Sequence, residues 1–132
     1  MVIEAMETGR VYRKRILLAD DQQGVREAIR FLLLVDEHTV REAANGNEAL
    51  ALFRKEPFDL VITDYSMPGM NGRELAAEIR KLTPHQPVVM VTAYLEDLGL
   101  ENNEIDAVLS KPFSFQELRS TIARILGTAC LI

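Results

Sequence analysis

Short apolar runs recur along the chain and alternate with longer stretches that carry one apolar face. Ile16-Leu17-Leu18-Ala19, Leu60-Val61-Ile62-Thr63, Val88-Val89-Met90-Val91 and Ala107-Val108-Leu109 are runs of the kind that strands buried on both sides produce. Thr39 to Ala43 is more polar, with Val40 followed by Arg41 and Glu42, as expected of a strand at a sheet edge. Between the runs the apolar spacing becomes helical. Val25, Ile29, Leu32 and Leu33 line one face, Leu75, Ile79 and Leu82 another, and Phe115, Leu118, Ile122 and Ile125 a third.

The helix starts are marked. Asn71 with Glu74 can cap one first turn, and Ser114 with Glu117 makes an S-x-x-E capping box. A further helix over roughly Asn47 to Lys55 is led by Asn45-Gly46 and stopped by Pro57, while Tyr94 to Glu104, with Gly99, Asn102 and Asn103, reads as a short or irregular helix. Five strand signals alternating with five helix signals imply parallel pairing through crossovers, hence an α/β protein: a three-layer α/β/α sandwich on a five-stranded sheet. A closed barrel would need more strands.

At 132 residues, 48% of them apolar, one hydrophobic core closes and a second folded domain does not fit. The expected organisation is an N-terminal extension over 1–13, one domain over 14–128 and a tail over 129–132. Lys and Arg total 15 against 20 Asp and Glu, a formal net charge of -5, which argues against direct binding of nucleic acid through its phosphates. The single cysteine, Cys130, excludes an intrachain disulfide and fits the reducing cytoplasm. No apolar run reaches the ~20 residues that span a bilayer, and Met1 to Lys14 lacks the apolar centre of a signal peptide, so no membrane role is expected.

The residues that bear chemistry sit where the apolar runs stop. Asp20 and Asp21 follow Ala19, Asp64 follows Thr63, Thr92 follows Val91, and Lys111 comes just after Leu109-Ser110. In open α/β sheets ligands bind beyond the carboxyl ends of the strands, where strand order reverses. The order 2-1-3-4-5 would bring Asp21, Asp64 and Thr92 together. Three carboxylates in one crevice repel, each pair at ~4 Å costing roughly 4 kcal/mol at an effective dielectric of ~20. Protonation or Lys111 can offset this in part, and a hard divalent cation bound through oxygen does so more completely. Each residue also has a plainer reading: Asp21 as a helix cap, Thr92 as a strand-end hydroxyl bonded to backbone, Lys111 as a solvated loop cation, and Asp64 as the start of a turn. Their common placement at strand ends favours a single site.

Ile16-Leu17-Leu18-Ala19-Asp20-Asp21, Asp59 to Gly72 around Asp64-Tyr65-Ser66-Met67-Pro68-Gly69, Val89-Met90-Val91-Thr92-Ala93 and Ser110-Lys111-Pro112-Phe113 together resemble the receiver domains of bacterial response regulators, over about Arg15 to Gly127. The resemblance implies the flavodoxin-like order 2-1-3-4-5 and a signalling phosphoacceptor that promotes its own phosphorylation and dephosphorylation. It implies Asp64 as phosphoacceptor, Mg²⁺ held by Asp21, Asp64 and the Ser66 carbonyl, with Asp20 acting through water. Lys111 and Thr92 would act on the phosphoryl group, Ser66 and Tyr94 would tune its hydrolysis, and Lys111-Pro112 would be cis. The partners implied are a sensor histidine kinase or histidine phosphotransfer protein and a downstream effector. Two departures bear on signal transmission: Val108 replaces the aromatic residue often found three before Lys111, and the stretch from Thr92 to Lys111 is short and acidic. A flavin-binding protein would not put Ala19-Asp20-Asp21-Gln22-Gln23-Gly24 beside a phosphate, and a haloacid-dehalogenase-like phosphatase would need an acid at Ser66. A receiver-like interaction module that does not use phosphorylation is the remaining rival, and the full acidic set counts against it.

Overall fold

The computed structural model describes residues 10–94 and 105–127. Its strands are β1 (Arg15–Ala19), β2 (Thr39–Ala43), β3 (Leu60–Asp64), β4 (Val88–Thr92) and β5 (Ala107–Ser110), and its helices are α1 (Gln23–Val35), α2 (Gly46–Lys55), α3 (Gly72–Leu82) and α4 (Phe115–Leu126). The strands form one parallel sheet in the order β2-β1-β3-β4-β5. The helix expected over Tyr94 to Glu104 lies, beyond Tyr94 itself, outside the described residues.

Alternation along each inner strand splits the core in two. Leu17, Ala19 and Val61 point to the side covered by α2 and α3, meeting Leu50, Phe53, Leu75 and Ile79. Ile16, Leu18, Leu60 and Ile62 point to the other side, against Ile29 and Leu33 of α1 and Leu118 and Ile122 of α4. Both faces of β3 and β4 are buried, which explains their unbroken apolar sequences. Strand β2 lies at the edge and is half exposed, as its polar sequence requires.

The caps act as their sequences indicate. Asn45, Asn71 and Ser114 accept the backbone N–H of Glu48, Glu74 and Glu117 respectively, and the last two pairs are complete capping boxes. The stripe expected on α3 needs one correction: Leu82 is the last residue of the helix and is 49% exposed, while Ala76 takes a core position. Before β1, Val11 packs on the core, Arg10 pairs with Asp36 and the Arg13 N–H donates to the Asp36 carbonyl.

Candidate functional site

The parallel register fixes where the polar strand ends meet. Ala19 pairs with Thr63, Asp64 with Val91 and Thr92 with Ser110, so Asp20, Asp64, Thr92 and Lys111 leave neighbouring strands at almost one level. Backbone bonds hold that level past the strands: Asp20 N–H to Ala43 O at 3.1 Å, Tyr65 N–H to Val91 O at 2.8 Å and Lys111 N–H to Thr92 O at 2.8 Å. Asp20, Asp21 and Asp64 each offer a carboxylate oxygen, and these atoms lie within 4.8 Å of one another.

The three carboxylates differ in setting. Asp20 and Asp64 are buried, whereas Asp21 is exposed and opens the cluster to water. The Lys111 Nζ stands 2.9 Å from Asp64 Oδ1 and 3.4 Å from Asp20 Oδ2. One ammonium against three carboxylates leaves net negative charge. Burial pushes the Asp64 carboxyl above the usual aspartate range, Lys111 pulls it back in part, and Asp20 and Asp21 push it up further. Burial also works on Lys111, downward, but Asp64 and then Asp20 overcome it and hold the ammonium above its ordinary value. Lys111 is therefore charged, with its ammonium directed at Asp64 Oδ1.

Asp21 does not cap α1. The N-cap is Gln22, whose side chain makes no capping bond, and the Asp20 carboxylate takes the Gln22 N–H at 2.9 Å. Thr92 is buried beside the cluster, but its hydroxyl is engaged with the Tyr94 backbone, accepting the N–H at 3.0 Å and donating to the carbonyl at 3.3 Å. In this arrangement the plainer reading of Thr92 holds. Ser66 is exposed in the turn after β3, Tyr94 is 63% exposed, Val108 is half-buried on β5, and the Lys111-Pro112 bond is cis. Among the described residues, the metal-ligating atoms gathered here are all oxygens, and one carboxylate faces water. That set fits a hard divalent cation that retains several waters and suits neither a thiolate nor an imidazole metal.

One contributor had no signal in the sequence. Arg26 on α1 donates from Nη1 to the Asp20 carbonyl at 2.7 Å and from Nε to Glu42 Oε1 at 3.0 Å. An arginine on an amphipathic helix normally reads as solvated, and its partner Glu42 lies on a strand with no local pattern to connect them.

The family model described as the response regulator receiver domain matches residues 16–123. The chain is 34% identical over 116 residues to sporulation initiation phosphotransferase F of Bacillus subtilis, covering 86% of this chain and 94% of that protein. It is 35% identical over 117 residues to the response regulator protein FleR of Pseudomonas aeruginosa, covering 83% of this chain and only 24% of FleR's length. Among solved structures it is similar to the response regulator protein TrrA of Thermotoga maritima in complex with Mg²⁺-BeF. The TM-score there is 0.81 at 37% identity, over 86% of this chain and 99% of TrrA.

Proposed function

The chain belongs to the response regulator receiver domains of two-component signalling, and on that premise we propose that Asp64 is the residue that takes the phosphoryl group. The donor is a histidine kinase or histidine phosphotransfer protein, or a small acyl phosphate in its place. Asp20, Asp21, Asp64 and the Ser66 carbonyl are the groups that would hold Mg²⁺. When bound, the ion supplies positive charge to the phosphoryl oxygens and offsets the repulsion among the carboxylates.

The observation that carries the assignment is the 2.9 Å contact between Lys111 Nζ and Asp64 Oδ1 inside the acidic cluster. A carboxylate oxygen of Asp64 attacks phosphorus as the bond from phosphorus to the donor's imidazole nitrogen breaks, and the released nitrogen keeps the electron pair and is protonated from water. Lys111 neutralises charge on the transferring oxygens from where it already stands. Thr92 must exchange its bonds to Tyr94 for one to the phosphoryl group, which gives it a way to report the event. Asp20, Asp64 and Thr92 are buried while Asp21, Ser66 and Tyr94 are exposed, and the exposed residues leave water a route to the acyl phosphate. The same cluster thus promotes both gain and loss of the phosphoryl group, and a change in the surface around Thr92 and β5 passes to an effector protein.

Among the described residues no helix is long and apolar enough to cross a membrane, and we place the domain in the cytoplasm, where its kinases' catalytic parts reside. We take 14–128 as the receiver unit. Incubated with Mg²⁺ and acetyl phosphate, the intact protein should gain the mass of one phosphate, and Asp64→Asn should abolish the gain. Absence of any gain from acetyl phosphate, a kinase or a phosphotransfer protein would instead support an interaction module.

A further inference from the structure

The acidic cluster needs Asp20 in a fixed place, yet Asp20 lies one residue beyond the end of β1. Two groups hold its peptide. Its N–H donates to Ala43 O on β2, and its carbonyl receives Arg26 Nη1 at 2.7 Å. The Arg26 side chain is only 15% exposed, and its guanidinium is itself held, because Glu42 Oε1 takes its Nε at 3.0 Å. Glu42 also meets Arg30 at 3.2 Å, one helical turn along, so its carboxylate is pinned from two sides. A chain of contacts therefore runs from edge strand β2 through Glu42 and Arg26 to the backbone of an acidic residue of the site.

We propose that Arg26, oriented by Glu42, is a positioning residue for the divalent cation: it fixes the Asp20 peptide so that the Asp20 and Asp21 carboxylates stand ready beside Asp64. The inference rests on the metal-binding reading of the cluster given above. It is sharpened by sign. Arg26 is a cation close to a cation site, so by charge alone its removal strengthens Mg²⁺ binding. By position its removal weakens binding, because a buried carbonyl loses its donor and the peptide between β1 and α1 is freed. Lysine restores the charge but not the planar fork that serves the Asp20 carbonyl and Glu42 together.

The test is Mg²⁺ affinity, measured by calorimetric titration, with Mn²⁺ binding followed by electron paramagnetic resonance as a second readout. Arg26→Met should weaken binding about 10-fold or more, in the range known for groups that orient metal ligands. Arg26→Lys should weaken it by several fold despite retaining the charge, and Glu42→Gln should do the same at a distance from the ion. Phosphorylation of each variant should recover at high Mg²⁺. Circular dichroism and thermal melting show which variants are folded, and the two conservative ones decide the matter if Arg26→Met is not. Unchanged or tighter binding in folded Arg26→Lys and Glu42→Gln overturns the proposal. Wild-type protein that binds no Mg²⁺, or Asp21→Ala that binds it normally, overturns the underlying metal assignment instead.

Discussion

At Gly72 the absence of a side chain decides where Asp64 sits. A Cβ there would come within 2.3 Å of the Asp64 carbonyl oxygen and 2.9 Å of the Tyr65 Cα, both backbone atoms that cannot swing aside. The Gly72 N–H uses this closeness to donate to the Tyr65 carbonyl at 2.8 Å, drawing the first turn of α3 against the end of β3. Gly72→Ala should cost about 1–3 kcal/mol through overpacking, read as a lower urea midpoint, and should slow phosphorylation of Asp64 by acetyl phosphate. At this scale the acids and the lysine were legible because each directly follows an apolar strand. Arg26 was not, since nothing near it in the chain distinguishes a guanidinium that holds a carbonyl from one in water. For Thr92 the sequence offered a hydroxyl bonded to backbone as one of two readings, without indicating that the partner is Tyr94.

The elements announce themselves to the degree that they are buried. Strands β3 and β4 are covered on both sides and read as continuous apolar runs, and the polarity of β2 marks it as an edge strand. Helix starts depend on local side-chain chemistry and were equally plain at Asn71 and Ser114. The spacing of Leu75, Ile79 and Leu82 does not say where the buried face of α3 stops, and Leu82, at the helix's last position, is exposed. The Ser114 box stands three residues beyond Lys111, so it anchors the start of α4 to the site. Ser114→Ala should lose about 1 kcal/mol of stability in urea unfolding. Leu75→Ala, at a fully buried position of α3, should lose about 2–5 kcal/mol, a difference large enough to separate cap from core in one experiment.

Across the whole molecule, a carboxylate at the opposite end from the site ties three distant segments together. Asp36, after α1, takes two bonds from Arg119 of α4, at 3.0 and 2.9 Å, and one from Arg10 at 3.0 Å. Burial tends to raise the Asp36 carboxyl, but Arg119 and then Arg10 hold it below its ordinary range. Its stabilisation is present above that range and is lost only as pH falls through the depressed value. Buried His38 acts earlier. Its Nδ1 accepts the Lys14 N–H at 3.0 Å, and burial lowers its pKa below the ordinary 6.5. The unfolded chain binds a proton that the folded one resists, so stability should fall as pH drops below 6.5, by at most about 1.4 kcal/mol per pH unit. Asp64, raised, has the opposite sign, since its contribution is lost as pH rises. Urea midpoints at pH values on either side of 6.5, in an Asp64→Asn background, should therefore show the decline, and His38→Gln should flatten it. Nothing in the sequence at Asp36-Glu37-His38 signals these partners far along the chain. Strand β2, at the margin of the described sheet, finally carries Arg41 paired with Glu56 over one face and Glu42 paired with Arg26 and Arg30 over the other. A strand from a neighbouring copy that tried to zip onto that margin would have to crowd those pairs, so crowded solutions of this chain should resist fibrillar growth from that side.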